Sequence, residues 1–144
     1  MAIGLASAIA LLVVTATVLL HYELLRGTSR LIPLLAIPPR TRIIVVIGGA
    51  FVAHLLEITL YALVFWSMQD HLGLGTVAGR LEGGALDFFY FSTANFTTLG
   101  VGDLYATGPM RIVASIQSLN GLVLIGWSAS FTYLALARSW ELHR

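Results

Sequence analysis

Nine residues, Asn95 to Asp103, carry the chemistry this sequence could perform. They read Asn-Phe-Thr-Thr-Leu-Gly-Val-Gly-Asp. Gly100 and Gly102 stand two apart, each preceded by an apolar residue. Glycine reaches dihedrals that a Cβ would forbid, so its carbonyl can turn where others cannot. Thr98 adds a hydroxyl at the inner end of the run and Asp103 a carboxylate at the outer end. A row of stacked carbonyls can replace the water shell of an alkali cation. The expected chemistry is therefore binding and passage of an ion.

A second group of interest is His54 with Glu57. They are three apart, so on a helix they share a face. They fall near the middle of an apolar segment, where an ionisable group costs about 2.5 to 3.5 kcal/mol on insertion scales and so turns toward protein. Two readings stand side by side. One is a pH-sensitive or ion-coupled pair. The other is a structural hydrogen bond to a neighbouring helix, through Asn120 or Ser118. No third ligand or nucleophile lies at a convincing spacing, so no enzyme is expected.

The elements that must hold these residues are set by composition. The chain has 144 residues, 58% hydrophobic and 10% charged, against about 25% charged in a soluble domain. This predicts a membrane protein. There are no cysteines, hence no disulfide framework and no thiolate metal site. A net charge of +1 gives no nucleic-acid signal, and no nucleotide-binding or zinc-protease motif appears.

Three segments are long enough to span, at roughly 17 to 25 residues each. The first, Ile3 to about Leu25, has no basic residue before it, so a retained membrane helix is expected in place of a cleaved signal. Its end, His21-Tyr22-Glu23, reads as headgroup-level anchoring. Residues 27–42 form a linker with Pro33, Pro38 and Pro39. The outer helix is expected at 43–68, a flexible glycine-rich turret at 69–86, a short helix at 87–97, the filter at 98–103 and a third spanning helix at 110–137. Asp87 suits the start of the short helix, where its charge meets the positive end of the dipole. That helix is too short to cross and reads as re-entrant, buried in protein or facing a watery cavity. Arg26, Arg30, Arg40, Arg42, Arg138 and Arg144 fall on one side, Arg80 and Arg111 on the other. Basic loops stay inside, which predicts a multi-pass inner-membrane protein with the N-terminus outside and the C-terminus cytoplasmic. Trp140 reads as an interface anchor.

Thr97-Thr98-Leu99-Gly100-Val101-Gly102-Asp103 resembles the selectivity filter of the potassium channel pore-domain family. The likeness runs from about Asp87 to Ala137. The carbonyl-filter mechanism is the one known for that family and comes with the resemblance. It implies an all-α membrane fold of three transmembrane helices plus a re-entrant pore helix and filter loop, assembled as a homotetrameric pore. It implies K+ at the backbone carbonyls of Thr98, Leu99, Gly100 and Val101, with the Thr98 hydroxyl, and Asp103 at the outer mouth. Two positions depart from the family. Leu99 stands where valine or isoleucine is usual, and Val101 stands where tyrosine is usual and packs behind the filter. The family's acidic partner for the residue after the second glycine falls here on Ala94, so that pair is missing.

The third helix resembles the family's inner helix. Gly121 is the expected hinge, with small-residue packing as the alternative. Thr97, Leu122, Ile125, Ala129 and Tyr133 are expected to line the cavity. Partners are further copies of the chain, lipid and monovalent cations, with no cofactor beyond permeant K+, or Na+ in a looser filter. Three functions follow as alternatives: a potassium-preferring channel, a weakly selective cation channel, and a non-conducting pore-like subunit.

Overall fold

The computed structural model describes residues 1–38 and 41–141, with side chains to residue 137 in the second stretch. Pro39, Arg40 and Arg144 lie outside the described residues, as do the side chains of Arg138 and Trp140. Helix α1 runs Ala2–Leu31, α2 Arg42–Asp70, α3 Ala85–Phe96 and α4 Met110–Glu141. Strands β1 (Val77–Gly79) and β2 (Leu104–Ala106) pair antiparallel, Gly79 opposite Leu104. Three helices are long and apolar enough to cross a membrane, over Ala2–Leu34, Arg42–Asp70 and Met110–Ala137. The expected three spans and short fourth helix are present.

Each spanning helix buries one stripe. On α1 it is Ala6, Ala10, Val13, Thr17, His21, Leu25 and Thr28, a spacing of three and four that keeps to one face. This stripe is small and partly polar, so α1 approaches α2 and α4 closely. The large apolar side chains Leu11, Leu12 and Leu19 point outward and are exposed, as suits a surface that meets lipid. Tyr61, Phe65 and Met68 of α2, Phe91 and Phe96 of α3, and Met110, Val113 and Leu124 of α4 fill the core. Helix α3 is held between α2 and α4. The Phe65 and Phe91 rings meet edge-on at 5.0 Å, a favoured aromatic geometry.

Several expectations need correction. Helix α1 continues to Leu31 and then tightens into a 3₁₀ turn at Ile32–Leu34, because Pro33 sits where the first turn of a helix accepts it. The linker is correspondingly shorter than 27–42. Helix α3 starts two residues before Asp87, and α4 runs past 137. The turret is not simply flexible. Its β1 strand is tied to β2, and Gln69 Oε1 accepts the Val77 N–H at 2.9 Å. Thr107 Oγ1 accepts the Thr76 N–H at 3.0 Å. These two short strands are the one departure from an all-helical chain among the described residues.

Candidate functional site

The loop 97–103 hangs from the C-terminal end of α3. Asp87, in the first turn, accepts from the backbone N–H groups of Glu82 at 3.2 Å and Gly83 at 2.7 Å. The carboxylate thereby folds the turret back over the positive end of the helix. At the other end, the Thr98 N–H donates to the Asn95 carbonyl at 3.0 Å and the Gly100 N–H to the Ala94 carbonyl at 3.2 Å. These bonds satisfy carbonyls that a helix end leaves open and turn the chain out of the helix at Thr98.

Beyond that turn, Thr98, Gly100 and Gly102 have φ of 58°, 55° and 88°, while Leu99 and Val101 between them do not enter the positive range. Alternation of hand on successive residues turns neighbouring peptide groups to one side of the chain. Two of the three positions are glycine, which accepts this at no steric cost. Thr98 is the outlier, since a β-branched residue rarely adopts positive φ. Holding it there costs of order 1 to 3 kcal/mol, so its surroundings must hold the loop in place. Leu99 is 71% and Val101 55% exposed. The chain's own pore helix does not cover the Val101 side chain.

The outer end of the loop is fastened on three sides. The Tyr90 hydroxyl donates to Asp103 Oδ2 at 3.0 Å, and Asp103 Oδ1 accepts the Leu104 N–H at 3.0 Å. The Asp103 carbonyl accepts the Arg80 N–H at 3.0 Å. Tyr90 lies one turn before Ala94, and supplies from the same helix the partner that Ala94 cannot. The hydrogen bond to the Asp103 carboxylate raises the Tyr90 pKa above the ordinary phenol value, with smaller contributions from desolvation and the carboxylate charge.

Gly121 of α4 lies against the end of α3. A Cβ there would collide with the Phe96 carbonyl oxygen. The glycine is thus required for helix-to-helix approach beneath the filter. Ser92 Oγ donates to the Ile58 carbonyl at 2.7 Å, and Gln117 Nε2 donates to the Ser92 carbonyl and hydroxyl at 3.1 and 2.8 Å. These bonds lock α3 to α2 and α4. Leu122, Ile125, Ala129 and Tyr133 are all exposed on α4, as is Thr97 at the end of α3. Thr97 Oγ1 donates to the Thr93 carbonyl at 2.8 Å.

His54 and Glu57 do share a face, but their partner is neither Asn120 nor Ser118. His21 Nδ1 lies 2.7 Å from Glu57 Oε1, and His54 Nδ1 lies 2.9 Å from Glu57 Oε2. His21 and Glu57 are fully buried. His21 is therefore not a headgroup anchor, and a third polar group does stand beside the pair. Asn120 instead donates to Thr17 Oγ1 at 2.8 Å and to the Tyr61 hydroxyl at 3.1 Å. The signal that could have found His21 is its place on the α1 stripe, four residues after Thr17 and four before Leu25.

A family model described as ion channel matches residues 41–137. The chain belongs to the ion channel family. The matched stretch contains α2, the turret, α3, the loop after it and α4 as far as Ala137, so the family resemblance is upheld. Channel function and a membrane setting follow from this membership. Helix α1 precedes the matched stretch, so His21 comes from outside the channel region and meets Glu57 within it. No curated protein and no solved structure matches the chain.

Proposed function

We propose that the chain is a passive, potassium-preferring cation channel of the inner membrane. Four copies around one axis would each contribute one filter segment. The observation that carries this reading is the alternation of hand at Thr98, Gly100 and Gly102 at the C-terminal end of a short helix. The partial negative charge of that end favours a cation. Carbonyls of Thr98, Leu99, Gly100 and Val101 would form successive K+ sites, with the Thr98 hydroxyl at the innermost. Ions shed water on entering and pass by mutual repulsion between neighbouring sites. Asp103, fixed by Tyr90, would set the outer mouth.

A single chain cannot enclose an ion, and closed rotational symmetry is the usual form of a homo-oligomer. The exposure of Leu99, Val101 and the α4 residues Leu122, Ile125, Ala129 and Tyr133 supports a further surface that other copies, a central cavity or lipid would meet. Arg26 and Arg30 at the end of α1 and Arg42 at the start of α2 support a cytoplasmic linker, with the filter mouth outside.

A second reading, a weakly selective monovalent cation channel, is favoured by the exposed Val101, which leaves the filter without an aromatic backing. Reconstitution in liposomes under potassium and sodium gradients separates the two. Flux of potassium well above sodium supports the first, and equal flux supports the second. No flux, with no tetramer on cross-linking, would leave a non-conducting subunit and defeat both.

A further inference from the structure

His21, His54 and Glu57 form a buried cluster that conduction through the filter does not use. Two histidines and one carboxylate come from two consecutive helices, His21 from α1 and His54 and Glu57 from α2. Each offers one ligand atom, and the three atoms all lie within 4.8 Å of one another. Both imidazoles turn the same nitrogen, Nδ1, toward the two oxygens of one carboxylate, at 2.7 and 2.9 Å. The rings are fixed by their surroundings. His21 stacks on His54 at 5.3 Å and lies 5.1 Å from Trp127, while His54 lies 5.6 Å from Phe96.

We propose that His21, His54 and Glu57 form a binding site for a divalent transition-metal ion of the Zn2+ class. Burial penalises the negative charge of an ionised carboxylate placed as Glu57 is. A cation at the centre of the three donors offsets it. Zinc takes histidine nitrogen and carboxylate oxygen at about 2.0 to 2.2 Å, which puts tetrahedral donors roughly 3.3 Å apart. With one Glu57 oxygen and the two imidazole nitrogens as donors, His21 Nδ1 and Glu57 Oε1, now 2.7 Å apart, would open by roughly 0.6 Å to admit the ion. Two nitrogen donors exclude Mg2+ and Ca2+, which take oxygen ligands, and suit zinc, copper or nickel.

The surroundings supply what a ligating histidine needs. Metal at Nδ1 requires the ring proton on Nε2. His21 Nε2 lies 3.3 Å from Ser128 Oγ on α4, so it can donate there, as ligating histidines usually donate their second N–H to a partner. The proton moves from one ring nitrogen to the other, and a neutral imidazole releases none. The His54 side chain is 18% exposed, which would give the ion an approach. Bound metal would clamp α1 to α2 one ring away from Phe96, whose carbonyl abuts Gly121.

The test uses the full chain in detergent micelles, stripped with chelator and titrated with Zn2+ against a chelating dye. Binding of one Zn2+ per chain, with a raised thermal midpoint, is expected. His54→Ala and Glu57→Gln are expected to weaken it at least tenfold, and Ser128→Ala about tenfold by freeing the His21 tautomer. His71→Ala is expected to leave it unchanged. His54 is the part-exposed ligand, so its variant is the one expected to keep the fold, checked by circular dichroism. Co2+ in place of Zn2+ is expected to give a ligand-field spectrum that the folded His54→Ala chain lacks. Absence of stoichiometric Zn2+ on the folded wild-type chain would overturn the proposal. So would Zn2+ binding undiminished in folded His54→Ala. Neither readout involves conduction, so the channel reading stands or falls separately.

Discussion

Tyr90 and Asp103 are joined across the mouth of the filter loop, hydroxyl to carboxylate oxygen at 3.0 Å. This bond ties α3 to the residue that follows Gly102. Tyr90→Phe removes it and leaves the ring. The variant is expected to enter a non-conducting state faster than wild type while keeping the fold. Single-channel recording measures this, and unchanged open times would remove the tether from the account.

The same bond has a defined pH range. A phenol whose folded pKa is raised contributes stability that is present below its unfolded value, about 10, and is lost as pH rises through the higher folded value. The tether is therefore expected to be intact at neutral pH and to fail only in strong alkali. Spectrophotometric titration of wild type against Tyr90→Phe should differ by one phenol that ionises above the ordinary tyrosine value.

Gly121→Ala places a methyl group against the Phe96 carbonyl. Overpacking of this kind typically costs about 1 to 3 kcal/mol. The backbone of α3 cannot yield without moving the filter it carries. Lower thermal stability with altered conductance is expected. If Gly121 acted as a hinge alone, the alanine would change gating and leave stability intact, and thermal denaturation beside single-channel recording distinguishes these outcomes.

Asn120 links α4 to Thr17 of α1 and Tyr61 of α2. Interhelical hydrogen bonds in membranes average about 0.6 kcal/mol, with a maximum near 1.7. Asn120→Leu is therefore expected to destabilise the bundle only slightly, because the small-residue stripe of α1 supplies most of its docking. Unfolding of the variant in mixed micelles measures this. A loss of several kcal/mol would assign the docking to the polar link.

Much of this arrangement is legible in the chain itself. Three apolar runs mark the spans because hydrophobic length is a property of contiguous sequence. The turn out of α3 with its alternating φ at Thr98, Gly100 and Gly102 is legible for the same reason, its residues being consecutive. What was missed joins residues distant in sequence. His21 and Glu57 are 36 residues apart, and the neighbours Tyr22 and Glu23 suggested an interfacial cluster. The helical spacing from Thr17 to Leu25 put His21 on the buried face regardless. In sequence Tyr90 reads as one of a run of packing aromatics, and the family's partner position points to Ala94, one turn later on the same helix. The strands β1 and β2 are three residues each, too short for an alternating pattern to register among glycines.

The proposed function requires that the run from Thr98 to Gly102 conduct potassium. Reversal potential in planar bilayers holding the purified chain, with potassium on one side and sodium on the other, tests it most directly. A potassium channel would show a reversal potential displaced strongly toward the potassium equilibrium value, displaced further by Val101→Tyr and abolished along with current by Gly100→Ala. Current that reverses near zero, or that persists unchanged in Gly100→Ala, would contradict it.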